Sequence, residues 1–140
     1  MEAHPGAVEV QACGSSAIGA FVLRGGHQRS MAQSCAPQLL LEAMRQHGSN
    51  ATVQEKAANA LRLVGSEDSN VALRLGAAEV LVSALRLHTA ERVLSACLAT
   101  LHSLTAERGT AMAFGFVVLA PKTPRECDAE LLMQILRRYP

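Results

Sequence analysis

The chain has 140 residues, enough for one domain with a real core, and 49% are hydrophobic while only 3% are aromatic, with no Trp, so that core must be aliphatic. Its formal net charge is +1, and its Arg residues are scattered singly apart from Arg137-Arg138, which leaves no basic stripe to follow a phosphate backbone and argues against nucleic acid as a partner. The longest near-apolar run, Ala111 to Ala120, is about half of the roughly 20 residues a membrane span requires, so no membrane association is expected.

The opening residues, Met1 to Gly6, lack the positive and apolar regions of a secretory signal. Met1-Glu2-Ala3-His4 then matches Met44-Arg45-Gln46-His47 at an offset of 43, with Val10-Gln11 on Val53-Gln54 and Ala17-Ile18 on Ala60-Leu61. Five of the eighteen aligned pairs are identical. Gly25-Gly26 stands alone, without the pattern of a phosphate-binding loop, and reads as a connection between repeats. The Leu-rich block Gln38 to His47 returns at an offset of 41 as Glu79 to His88, and again as Glu130 to Tyr139. Internal periods of this size identify stacked-repeat architectures.

Between the first two Leu-rich blocks, Asn50-Ala51-Thr52 forms a glycosylation sequon that reads as a loop before a helix start. The spacing predicts a helix over 53–64, opened by a capping box in which the Thr52 hydroxyl bonds an orphan amide and Glu55 reaches back. Glu67 and Asp68 are expected to lie in a solvated acidic turn. A short helix is expected over 69–75, stopped by Gly76 at a tight corner. Ala77 to His88 follows, with Val80, Leu81, Ala84 and Leu85 on one apolar stripe.

The next unit keeps a long helix over 93–104 and a short one up to Gly115, and then the spacing fails. An irregular insertion over 116–123 adds about ten residues and is broken by Pro121 and Pro124. A last helix is expected over 124–138, with Thr123 as its cap and Pro124 at its first position. The repeat units are thus 1–47, 48–88 and 89–140 within a single domain, about three repeats in an all-α chain.

A short helix ending in Gly, a Leu-rich helix, a polar loop and a helix that opens Val-Gln-Glu and closes Ala-x-Ala-Leu resemble the armadillo repeat. The residues are Val71 to Ala78 and Val53 to Leu61. The HEAT family shares the period, and the three-piece unit with Gly at its first corner favours armadillo. The resemblance implies a right-handed α-solenoid in which the long helices line a concave groove that binds a partner protein or peptide. Peptide-binding members place a Trp and, four residues on, an Asn on each such helix. Here those positions are Ser16 and Ala20, Asn59 and Leu63, and Ala99 and Ser103. Neither residue type is retained at its place, so a flatter, partly apolar protein-binding surface is expected around Ser16, Asn59, Leu63, Ala99 and Ser103. The alternative is a structural or regulatory armadillo region of a larger multidomain protein, attached for example to a kinase-like domain and represented here by a fragment or isoform.

No constellation for catalysis, cofactor or metal stands out. Cys13, Cys35, Cys97 and Cys127 follow neither zinc spacing nor that of a stapled secreted domain, and read as free thiols in a reducing, cytoplasmic setting, the nucleus being left open. Cys97 takes the apolar position of Ala57 one repeat earlier, which suits a buried side chain rather than a nucleophile. His4, His47 and His88 recur once per unit at the ends of Leu-rich helices. There an imidazole can bond a free carbonyl at the negative end of the helix dipole, a better account than a ladder of metal ligands.

Overall fold

Three lengths of helix recur in a set order in the computed structural model, which describes residues 1–25, 27–65 and 69–106. A long helix, α1 (Val8–Gly25), a short α2 (Gln28–Ala32) and a medium α3 (Ala36–Gln46) are followed by a long α4 (Ala51–Gly65), a short α5 (Ser69–Arg74) and a medium α6 (Ala77–Leu87). A third long helix, α7 (Glu91–Ala106), closes the described part. The starts of α1 and α4 are 43 residues apart, those of α2 and α5 and of α3 and α6 are 41 apart, and those of α4 and α7 are 40 apart. Among the described residues all regular structure is helical, and no helix is long and apolar enough to cross a membrane. The expected short helix up to Gly115, the insertion over 116–123, the last helix over 124–138 and Cys127 lie outside the described residues.

The medium helices are the most sharply two-sided. In α3, Ala36, Pro37, Leu40, Leu41, Ala43 and Met44 are buried while Glu42, Arg45 and Gln46 face water, and α6 buries Ala77, Leu81, Val82, Ala84 and Leu85. That periodicity is what the Leu-rich blocks encode. The long α4 lies at the centre, packed on α1, α3 and α7, and it is covered on more of its circumference than any neighbour. Its buried residues, Val53, Gln54, Ala57, Ala58, Ala60, Leu61, Val64 and Gly65, are mostly small, which permits close helix approach. Gly19 of α1 sits over Ala60, where an added Cβ would lie 3.6 Å from the Ala60 Cα. At the other end, a Cβ on Gly65 would fall 2.6 Å from the Leu104 Cδ2 of α7, so the glycine makes room for a fully buried leucine.

Two expectations need correction. The helix predicted over 53–64 begins earlier, at Ala51, because its cap is Asn50 and not Thr52: the Asn50 Oδ1 accepts from the Thr52 and Val53 amides at 3.1 and 3.0 Å. Asparagine reaches these orphan amides as well as threonine does. Glu55 makes no capping box; its carboxylate pairs with Arg92 of α7 at 3.4 Å, tying two long helices together. The helix predicted over 93–104 likewise runs from Glu91 to Ala106.

The corner at Gly76 forms as the sequence suggests. Gly76 has φ +83°, the left-handed region, and separates α5 from α6. Arg45 of α3 reaches this corner and donates to the Leu75 carbonyl at 2.7 Å. The matching corner between α2 and α3 is built differently. Cys35 there keeps an ordinary helical φ of −74°, and the Ser34 hydroxyl donates to the Met31 carbonyl and accepts from the Ala36 amide.

Candidate functional site

Side-chain amides and imidazoles make the same bonds at equivalent places along the chain. The Gln11 Nε2 donates to the Met1 and His4 carbonyls at 3.0 and 2.8 Å, and 43 residues later the Gln54 Nε2 donates to the Met44 and His47 carbonyls at 2.7 and 3.1 Å. Both glutamines are almost wholly buried. A primary amide carries two protons, so one side chain satisfies two carbonyls that the end of a helix or turn leaves open.

The histidines form a second ladder. His47 and His88 are the C-caps of α3 and α6, as their place in the sequence suggests. Their rings, however, do not bond the ends of their own helices. The His47 Nε2 lies 2.7 Å from the Pro5 carbonyl, and the His88 Nε2 lies 2.7 Å from the Gly48 carbonyl. Pro5 and Gly48 are themselves 43 residues apart, so each ring reaches back to the same point at the start of its own unit. The backbone amides of His47 and His88 bond the Ala43 and Ala84 carbonyls, so each residue caps its helix through the main chain while its ring meets the loop before a long helix. Thr100 adds a third cross-link, its hydroxyl lying 2.8 Å from the Ala58 carbonyl of α4 and 2.7 Å from the Ala96 carbonyl of its own helix. No buried side-chain polar atom among the described residues lacks a partner.

Thr100 and the Arg92–Glu55 pair link α7 to α4, α1 packs against α4, and the residues expected to form the binding surface occupy equivalent positions on these three helices. Ser16 and Ala99 are exposed, while Asn59 and Ser103 are half-buried. Leu63 is half-buried and packs against the core, its Cδ1 3.6 Å from the place a Gly19 Cβ would take. Ala20 of α1, the partner position of Ser16, is exposed. Ser16, Ala20 and Ala99 thus place small side chains at exposed positions of α1 and α7.

The sites of potential chemistry are separate. Cys97 is fully buried, and burial pushes its thiol up from 9.0 to about 12, so it stays protonated and unreactive at neutral pH. Cys13 and Cys35 are exposed and free. Among the described residues no three His, Cys, Asp or Glu side chains gather as metal ligands would. A shallow depression at the start of α7 is lined by Ala90, Glu91, Arg92 and Ser95, and its arginine is engaged with Glu55.

Sequence reasoning missed two contributors. Asn50, which its sequence position places in the loop before the helix, does the capping with its side chain. The outer face of α1, with Val10 and Phe21 exposed, also escaped notice. The available signal was Val10, Ala17 and Phe21 on one side of the helix, apart from the stripe buried against α4. Comparison of the chain with known protein families, with curated proteins and with solved structures returns no match.

Proposed function

We propose that this chain is a non-enzymatic protein-interaction segment, an armadillo-like α-solenoid whose long helices present a low surface to a partner protein or peptide. One observation carries the reading: the Gln11 and Gln54 amides, and the His47 and His88 rings, make equivalent bonds in successive units of 40 to 43 residues. Such units bury their apolar faces only by stacking, and the extended face that stacking creates is what repeat proteins use for recognition. Ser16, Asn59, Leu63, Ala99 and Ser103 are the residues assigned to that face. The exposed small residues among them favour a broad contact over a pocketed ligand.

The test is a partner captured by proximity labelling and then titrated against purified variants. Ser16→Glu together with Ala99→Glu is expected to weaken binding tenfold or more without altering the helical circular dichroism. Gln38→Glu and Arg86→Glu, on exposed positions of α3 and α6, should leave it within about twofold. Equal binding by the first pair, with loss in the second, would assign recognition to the medium helices and reject the proposal.

A further inference from the structure

α1 carries an apolar stripe on the side opposite the one packed against α4. Its inner stripe, Gln11, Ser15, Gly19 and Val22, is buried, and α4 packs against this helix. Its outer stripe, Val10, Cys13, Ala17, Ala20 and Phe21, is exposed, with Val10 at 39% and Phe21 at 53%. At the repeat offset of 43, Val10, Ala17 and Phe21 correspond to Val53, Ala60 and Val64 of α4, which are 0%, 2% and 0% exposed. The positions that neighbouring helices cover on α4 are therefore apolar on α1 but not covered by a helix, although the Phe21 ring stacks on that of His27, 5.0 Å between centroids. Val10, Cys13, Ala17 and Ala20 also follow the three-then-four spacing of a helix-pairing seam.

The charges of α1 say what fits there. The helix has only two charged side chains, Glu9 in its first turn and Arg24 in its last. Both are exposed, and neither belongs to an ion pair within the described residues. We infer that the outer face of α1 pairs antiparallel with the same face of a second copy of this chain, in a two-fold dimer centred on Ala17. That register sets Ala17 on Ala17 of the second copy, where the small side chains allow close approach, and brings Cys13 opposite Phe21. It also places Glu9 of each copy beside Arg24 of the other, twice over by symmetry. A parallel pair would stack Glu9 on Glu9 and Arg24 on Arg24. One helix from each copy makes a small interface, under about 1,200 Å² in total, so the dimer is weak and has a dissociation constant in the micromolar range.

Sedimentation equilibrium of the full chain under reducing conditions, over about 5 to 200 µM, is the experiment. The expected result is a monomer–dimer equilibrium abolished by Val10→Ser with Phe21→Ser, both on the surface, with unchanged circular dichroism. Glu9→Arg or Arg24→Glu alone should weaken the dimer about threefold to tenfold, and the double reversal should restore it to within about twofold. A chain that stays monomeric throughout, as it would if α1 served to receive another repeat or a different protein, overturns the inference. So does an open-ended series of oligomers, a dimer indifferent to the Val10 and Phe21 changes, or a double reversal as weak as either single one.

Discussion

Asn50 supplies the Oδ1 that accepts two amides at the start of α4, whereas the exposed Thr52 side chain has no capping bond. Asn50→Ala should therefore cost about 1 kcal/mol in chemical denaturation, within the usual range for a lost N-cap. Thr52→Ala should stay within about 0.5 kcal/mol. The opposite ranking would mean that the capping box operates after all. Cys97 makes a prediction in pH. Its thiol rises from 9.0 to about 12 on burial, so between these values the unfolded chain loses a proton that the folded chain retains. Stability is then independent of this group below pH 9 and falls as pH rises from 9 towards 12, by up to about 1.4 kcal/mol per unit. Denaturation of the parent chain and of Cys97→Ala across this window checks it, the variant showing the shallower alkaline slope. The parent thiols at Cys13 and Cys35 should alkylate in the native state, and Cys97 only on unfolding.

Between elements, the two glutamines make the same bonds in different surroundings. Gln54 lies between α3 and α4 in the core, while Gln11 bonds the turn formed by the first residues, most of which are exposed. Replacing Gln54 by Leu leaves the Met44 and His47 carbonyls without this donor in a place water reaches poorly, and should cost about 1–3 kcal/mol. Gln11→Leu should cost less than half as much, because water can take over at the exposed turn. Comparing the two by urea denaturation tests whether the bond or its burial sets the energy. Gly76 belongs to this scale as well. Its φ of +83° sets the corner between α5 and α6, so Gly76→Ala should destabilise by about 1 kcal/mol or more.

Over the whole molecule, stability should be graded by how many neighbours each long helix has. α4 is held by α1 on one side and α7 on the other, with Thr100 and Arg92 bonding directly to it. α1 is covered on one side only, and Val10, Phe21 and Leu23 stay in water. Amide hydrogen exchange should then be slowest in α4 and faster in α1, with α1 gaining protection at concentrations where the chain dimerises. Uniform protection across α1 and α4 would indicate a single cooperative unit whose free face carries no penalty.

The helices α4 to α7, the corner at Gly76 and the burial of Cys97 were legible in the residues themselves. Each follows from a local rule: apolar positions three and four apart, a glycine where φ must be positive, a small side chain at a repeated core position. The identity of Gln11 and Gln54, and of His47 and His88, was equally visible, but not its meaning. A glutamine amide or an imidazole can bond any carbonyl within reach, and only the packing of α3 against α4 and α6 brings the Met44, His47, Pro5 and Gly48 carbonyls to them. The same limit applied at Asn50 and Thr52, two capping residues in one segment, between which backbone geometry chose. It applied again to α1, whose sequence could not say which side would be buried until α4 took the side of Gln11, Ser15, Gly19 and Val22 and left Val10, Ala17 and Phe21 exposed. Sequence by itself determined which helices form and where they turn, because those depend on neighbours along the chain; tertiary structure decided which donors meet which carbonyls and which apolar face remains open, because those depend on neighbours some 40 residues away.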